Sequence, residues 1–373
     1  MFFGLKKPHF LGIDFGTASI KAVELTLKDG KPTLLNYGEV SLAALEDGIF
    51  PSGHSYDDEV TLYLKSFIKR LKPKSASAYV AMPAFIGLIS LIEFPEMKES
   101  ELEEAIQFEA HKYIPSSLDE VALSWEVVGF QEGKGGGAAK MEVLLVAALN
   151  KEVRRYENYV KGAGLGLAFL ELETFSMVRS VVGGREGLYL VIDIGSRATN
   201  LVLVENGLVK VSRNLDVGGR DITRTLMEGL SITQSRAEVL KKSGKDFLNH
   251  PESALVFPAL QMILGEADRM LSAYRVKYPE ALFEGAILSG GTGQFTGILE
   301  YFSNKLKLPV SIGNPWDRIE YAPELESDIH SMGTSFSVAL GLALSGIDAL
   351  HPKKDVIKKS RSLKLKELLG QKI

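Results

Sequence analysis

Two stretches of this chain share one layout of apolar and polar positions. Phe10-Leu-Gly-Ile-Asp14-Phe-Gly16-Thr17-Ala-Ser19-Ile-Lys21-Ala-Val-Glu-Leu25 lies near the start, and Tyr189-Leu-Val-Ile-Asp193-Ile-Gly195-Ser196-Arg-Ala-Thr199-Asn-Leu-Val-Leu-Val204 lies in the middle. Each is a β-rich run ending in Asp, then a two-residue step to Gly, a short hydroxyl-bearing turn and a second β-rich run. That pattern predicts a β-hairpin with a polar tip. Its recurrence predicts two related halves, each opening with such a hairpin.

After the second hairpin, Gly218-Gly219-Arg220-Asp221 leads into an amphipathic stretch, Ile222 to Leu230, and Thr233 is placed to cap a helix reaching Lys242. Apolar residues at helical spacing (Leu260, Ile263, Leu264, Ala267, Leu271, Tyr274) predict a long helix from Pro258 to Tyr278. A strand from Gly285 to Leu288 then runs into Ser289-Gly290-Gly291-Thr292-Gly293, followed by a helix, Gln294 to Lys307, and a strand, Val310 to Ile312. Strand, Gly-rich turn, helix, strand is an α/β signature.

Between the hairpins the pattern changes. Asp58 to Leu149 reads as an inserted α+β module: a helix (Asp58 to Leu71), strands (Ser77 to Met82, Ile86 to Phe94), an acidic helix (Glu99 to Tyr113), then strands flanking the Gly-rich tip Glu132 to Gly137. Lys151 to Ser180 reads as two helices returning to the main body. Two apolar stretches raise the question of membrane spans. Tyr79 to Ile92 is short and broken by Pro83, so it predicts two strands joined at a turn. Gly333 to Leu350 carries hydroxyls and Asp348 and predicts a buried helix.

Composition narrows the chemistry. None of the 373 residues is Cys, which excludes disulfides, zinc–thiolate sites and thiol nucleophiles. A net charge of −4 gives the chain no nucleic-acid-binding field. The last stretch, His351 to Ile373, departs from that balance with eight Lys/Arg against two Asp/Glu and the apolar residues Leu363, Leu365, Leu368 and Leu369. It reads as a solvated terminus or as a weak contact with anionic lipid or an acidic partner.

The three glycine-bearing turns at strand ends suit a nucleotide polyphosphate, because phosphate oxygens need close approach by backbone N–H groups. One Asp-x-Gly-Thr turn alone is commonly structural; the set carries the signal. The candidate nucleotide-binding residues are Gly16, Thr17, Ser19 and Lys21 of the first hairpin, Gly195, Ser196 and Thr199 of the second, Gly218 and Gly219 after it, and Gly290, Gly291 and Thr292 of the third turn. Hydroxyls would donate hydrogen bonds, and Lys21 would supply a point charge. Asp14 and Asp193 would hold Mg2+ largely through water, since that ion keeps much of its hydration shell.

This set resembles the actin, heat-shock chaperone and sugar-kinase superfamily, with the hairpins as its two phosphate loops and the Ser289 to Gly293 turn as its adenosine motif. Ala237-Glu238-x-x-Lys241 resembles the helix whose Glu and Lys contact the nucleoside. Leu172-Glu173-Thr174-Phe175 and Met332 to Ala343 resemble the two connecting helices, which implies that Glu173 stands near an attacking water. Within the superfamily, Glu99 to Pro115 with its Tyr-Ile-Pro ending, Val217-Gly-Gly-Arg-Asp-Ile-Thr and Ala339-Leu-Gly-Leu-Ala-Leu344 resemble the PilM family, the actin-like, FtsA-related assembly proteins of the type IV pilus.

That resemblance implies an actin-like α/β ATPase fold. Residues 1–57 and 150–187 would form the first domain with its connecting helix, 58–149 an inserted subdomain, 188–345 the second domain and its return, and 346–373 a basic tail. It implies ATP and Mg2+ as ligands, with slow hydrolysis or none. It also implies a cytoplasmic protein recruited to the inner membrane by the N-terminal tail of a PilN-like protein, beside other platform components. An FtsA-like membrane-tethered filament protein and a small-molecule kinase of the same fold are the alternatives. The kinase would need an aspartate placed as base for an acceptor hydroxyl.

Overall fold

The computed structural model describes residues 8–45, 48–114, 117–131, 139–250 and 252–350. Pro115, the Gly-rich tip and the basic segment 351–373 lie outside the described residues.

Both hairpins are present. Strands β1 (His9–Phe15) and β2 (Ser19–Lys28) run antiparallel with Asp14 opposite Lys21, and β3 (Lys31–Ser41) extends them. Helix α1 (Tyr56–Leu71) starts at a Ser55 capping box and buries Val60, Leu64, Phe67 and Ile68, one helical face. It leads to β4 (Ser77–Met82), parallel to β1. A tight turn, Ala84–Ile86, leads to β5 (Gly87–Pro95), α2 (Glu99–Ala110), β6 (Val121–Gln131) and β7 (Lys140–Leu149). The chain returns through α3 (Asn150–Gly162), β8 (Gly166–Leu172) and α4 (Glu173–Val181).

The second half repeats the plan with β9 (Leu188–Ile194), β10 (Thr199–Glu205) and β11 (Leu208–Leu215). Helices α5 (Gly219–Leu230), α6 (Gln234–Lys241) and α7 (Pro258–Lys277) follow. Then come β12 (Phe283–Ser289), α8 (Ile298–Leu306), β13 (Val310–Ile312), α9 (Glu326–Met332) and α10 (Ser337–Asp348).

The two large sheets have one strand order: β3-β2-β1-β4-β8 and β11-β10-β9-β12-β13. In each, three antiparallel strands precede two parallel ones, so the duplication read from the hairpins extends through both halves. Among the described residues no helix is long and apolar enough to cross a membrane, and the apolar stretch after Gly333 forms the buried helix α10.

The structure differs from expectation in two places. Helix α1 and strand β4, grouped by sequence with the inserted module, belong to the first half: β4 pairs with β1, Leu11 opposite Ala78. The separate sheet is β5-β7-β6, which packs Ile92, Phe94, Val143 and Leu145 against Leu102 and Ile106 of α2. Secondly, the return segment holds a strand between its helices. The run after Gly164 pairs with β4, and its apolar residues Leu170 and Leu172 join the first half's core.

Helices α4 and α10 cross between the halves. A Cβ on Gly341 of α10 would lie 1.9 Å from the Ser176 carbonyl of α4, so the two backbones touch. Arg179 of α4 donates to the Gly341 carbonyl at 2.9 Å and makes a two-pronged pair with Glu171 at 2.7 and 2.9 Å. The inserted sheet also reaches the second half. Lys210 of β11 meets Glu142 of β7 at 2.8 Å in a mostly buried ion pair, and Lys277 meets Glu93 at 2.9 Å.

Candidate functional site

Asp14 and Asp193 are each the last residue but one of a strand whose partner returns from the turn. Pairing thus delivers both carboxylates to strand ends, where the glycine turns begin. Both line a single cleft of about 1130 Å³ between the halves, together with Gly16, Thr17, Ser19, Lys21, Glu173, Gly195, Ser196, Gly219, Glu238, Lys241, Gly290, Gly291 and Thr292.

Thr199 and Gly218, also expected to touch nucleotide, are not in the lining; they support the second turn. The Thr199 hydroxyl is fully buried and donates to the Val217 carbonyl at 2.8 Å. The Gly218 N–H donates to Asp221 at 2.9 Å, closing the start of α5. Gly219 is in the cleft, but its N–H is engaged with the Gly195 carbonyl at 2.9 Å, so it braces the turn and does not offer that donor to phosphate. The short side chain of Thr199 and the backbone needs of Gly218 are turn-building requirements that resemble binding requirements in a sequence. Arg197, the bulkiest residue of this turn, points out to solvent, 3.6 Å from Asp216.

Gly290 explains why the third turn is glycine-rich. Its φ is +82°, and a Cβ there would fall 2.4 Å from the Ile194 carbonyl, so the turn packs directly on the second hairpin. Thr334 holds it from behind, donating to the Gly290 carbonyl at 2.8 Å. On the α6 side of the cleft, Lys241 donates to the Gly219 carbonyl at 3.0 Å and to Thr223 at 3.2 Å, and lies 3.5 Å from Glu238 one turn earlier. Thr223 also hydrogen-bonds Glu238. Burial pushes the Lys241 ammonium down, opposed by Glu238.

The carboxylates define the electrostatics. Burial raises Asp14 to about 6, with Asp193 and Glu39 adding to the rise and Lys21 opposing it. Burial raises Glu173 to about 8; repulsion from Asp14 and Asp193 adds, and the Ala84 N–H, 2.9 Å away, opposes. Asp193 is raised by burial, against a hydrogen bond from Ser289 and the charge of Lys21. Tyr156 stands near Glu173, and its ring meets Phe15 edge-on at 5.3 Å, giving the cleft floor an aromatic backing. Lys21 itself donates to Ser19 at 2.8 Å and lies 3.4 Å from Glu39.

These residues fit a magnesium nucleotide. Mutually repelling, desolvated carboxylates are what a divalent cation relieves. Among the described residues no three His, Cys, Asp or Glu side chains form a metal-ligating group. A cation here would therefore draw on phosphate oxygens and water as well as Asp14 and Asp193. The ion would supply charge neutralisation between the hairpins and the phosphates.

The cleft also holds residues that motif reading missed. Asn200 lies opposite Asp193 and lines the floor, as do Gln294, Phe336 and Ser337. The Ser337 hydroxyl is 3.1 Å from that of Ser289. Asn200 was within reach of the sequence, since an antiparallel hairpin sets its residue opposite the aspartate.

Duplicated five-stranded sheets, with hairpins and a glycine turn facing one interdomain cleft, define an actin-like ATPase fold. The family described as "Type IV pilus assembly protein PilM" matches residues 12–347 of this sequence. The chain belongs to that family.

Among solved structures, a chain of a "PilM-PilN type IV pilus biogenesis complex" is similar with a TM-score of 0.75 and 23% identity, covering 91% of this chain and 98% of that one. The ethanolamine utilization protein EutJ from Carboxydothermus hydrogenoformans is similar at a TM-score of 0.52 and 19% identity, covering 91% of this chain and 90% of that one. Among curated proteins, the cell division protein FtsA of Streptococcus pneumoniae serotype 2 is 23% identical over 258 residues, 63% of this chain and 56% of that protein. FtsA of Neisseria meningitidis serogroup B is 22% identical over 283 residues, 66% of each. The chain thus spans about 56% and 66% of these two relatives' lengths.

Proposed function

We propose that this chain is a nucleotide-gated adaptor of the type IV pilus inner-membrane platform. Mg-ATP bound between the two hairpins would clamp the halves. The clamped state would set a groove, between the main body and the inserted sheet, for the N-terminal tail of a PilN-like membrane protein. The observation that carries the reading is the convergence of Asp14, Asp193 and Glu173 on one cleft with the glycine turns. The partner half draws support from the family, from the similar chain solved as part of a PilM-PilN complex, and from apolar side chains beside the inserted sheet: Phe85 is 51% exposed and Phe108 74%. Such a partner would recruit the chain to the cytoplasmic face of the inner membrane, beside other platform components.

A ligand gates an equilibrium only through different affinities for its two states. The test is the affinity of a PilN-tail peptide with and without Mg-ATP. The gate predicts a clear difference; equal affinities would remove it and leave the adaptor.

Turnover needs a group that positions water, and Glu173, an acid lining the cleft, is the residue proposed for that role. In the ligand-free cleft, burial and the two aspartates raise this carboxyl to about 8. The proposal is slow hydrolysis or none, with ATP acting as a structural ligand. A steady-state assay on purified protein decides it, and turnover at a typical kinase rate of about 1 per second or faster would contradict it.

The FtsA relatives and the basic end of the chain favour a second reading, a membrane-tethered filament protein. Liposome pelleting of the full chain beside one ending at Ser345 separates the two. Pelleting lost with the tail supports the tether.

A further inference from the structure

A row of partly and fully buried polar groups runs behind the cleft and meets its lining at Asn200 and Glu173. The Ser212 hydroxyl on β11 donates to Asn200 Oδ1 at 3.1 Å. Asn200 Nδ2 on β10 donates to the Thr174 hydroxyl at 2.7 Å. Thr174 follows Glu173 in the first turn of α4, and Glu173 Oε1 accepts the Ala84 N–H at 2.9 Å. Asn200 is 4% exposed and Thr174 is fully buried.

The members are drawn from both halves and from the root of the inserted sheet. Asn200 faces Asp193 across the second hairpin. Thr174 and Glu173 start the helix that crosses to the first half. Ala84 sits in the turn from which the inserted sheet departs, beside Phe85, which lines the cleft. A buried amide is costly unless its polar atoms are paired, and here both are. The pairing fixes the side chain and, through Thr174, fixes the start of α4.

We propose that Asn200 is a positioning residue: it ties the second hairpin to α4, holds Glu173 in place and, through the bond from Ala84 to Glu173, links the state of the cleft to the turn that roots β5. This deepens the proposed function and rests on its nucleotide site. A magnesium nucleotide gripping both hairpins has to move β9 and β10 against the first half or hold them there. Either change reaches α4 through the Asn200–Thr174 bond. Lys210 with Glu142 of β7 and Lys277 with Glu93 of β5 tie the other end of these paired strands to the second half, so displacement at the Ala84 turn would work against a held end of β5.

The experiment is hydrogen exchange of β5 (Gly87–Pro95) with and without saturating Mg-ATP, in the parent chain, Thr174→Val, Thr174→Ser and Ser212→Ala. Thr174→Val keeps the buried shape and removes the hydroxyl; Thr174→Ser keeps the hydroxyl. The parent should show an ATP-dependent change in β5. Thr174→Val should cut that change at least about threefold, the scale of one buried hydrogen bond, while still binding Mg-ATP. Thr174→Ser should restore it. Ser212→Ala, on a half-exposed strand, releases Asn200 from its other side and should also reduce the change, so the idea stays testable if Thr174→Val does not fold. A response in Thr174→Val or Ser212→Ala equal to the parent's overturns the relay, as does a parent that binds Mg-ATP with no change in β5. A parent that fails to bind Mg-ATP at all overturns the nucleotide reading together with it.

Discussion

Lys21 and Asn200 hold the same place in the two halves, each directly opposite its hairpin aspartate, Asp14 in one case and Asp193 in the other. One half therefore sets a cation beside its carboxylate where the other sets a neutral amide. Lys21 favours the ionised form of both aspartates. Lys21→Met should weaken Mg-ATP binding at neutral pH by roughly tenfold, the scale of one charge-assisted contact. Calorimetric titration measures it, and unchanged affinity would mean that Lys21 serves its protein neighbours, Ser19, Glu39 and the aspartates, and not the nucleotide.

The carboxylates make the ligand-free chain sensitive to pH. Asp14 at about 6 and Glu173 at about 8 both lie above their ordinary values, 3.8 and 4.5. The folded chain thus holds these protons more tightly than the unfolded one. Their contribution to stability is full below about pH 4 and is lost as pH rises through 6 and then 8. Groups facing Glu173 are Asp14 of β1, Asp193 of β9, the Ala84 N–H and Tyr156 of α3. Between about pH 6 and 9 ligand-free stability should fall by an amount on the order of a few kcal/mol, and Glu173→Gln should flatten the fall. Thermal melts across that range check it; a steady rise in melting temperature would contradict it.

Asp14→Asn and Asp193→Asn should separate folding from binding. Each removes a desolvated charge, so each should raise the melting temperature of the ligand-free chain near neutral pH. Each should also lower Mg-ATP affinity by tenfold or more, roughly 1.4 kcal/mol. Full retention of the Mg-ATP thermal shift in both would remove the metal assignment.

Thr199 is a stability residue by its geometry. Thr199→Val keeps its volume and loses the bond to Val217, which should cost about 1–3 kcal/mol in denaturant unfolding, because the carbonyl is left without that donor. Mg-ATP affinity in the folded fraction should change little. A tenfold loss of affinity at unchanged stability would return Thr199 to the binding set.

The ion pair between Lys210 and Glu142 is mostly buried, with side chains 11% and 6% exposed. Lys210→Met should cost about 1–3 kcal/mol, because Glu142 and Glu205 both lose this cation. Lys210→Met with Glu142→Leu should recover most of that. Denaturant unfolding of the three chains tests the expected non-additivity.

Much of the site could be read in the sequence because glycine turns and strand-end carboxylates are local features. Asp14, Gly16 and Lys21 sit within eight residues of one another, and their hairpin brings them together with no help from distant contacts. What sequence missed depends on pairing between distant segments. Strand β8 is short and follows a helix closely, and only its partner β4 makes it a strand. The boundary of the inserted module failed for the same reason: nothing local to Ser77–Met82 says that its neighbour is β1. Thr199 and Gly218 lie outside the cleft lining, and a turn's internal bonds call for the same small residues as a ligand does.

The backbone contact between α4 and α10 at Gly341 sets how the two halves can swing. With the Ser176 carbonyl pressed against Gly341 and Arg179 clasping the Gly341 carbonyl, parting the helices here would lose both contacts, so a swing of the halves would turn about this crossing as about an axle. Motion at an axle grows with distance from it, so a few degrees at Gly341 would become a wide excursion at the cleft's outer lips. A single methyl group at position 341 would wedge that axle and set the jaws ajar.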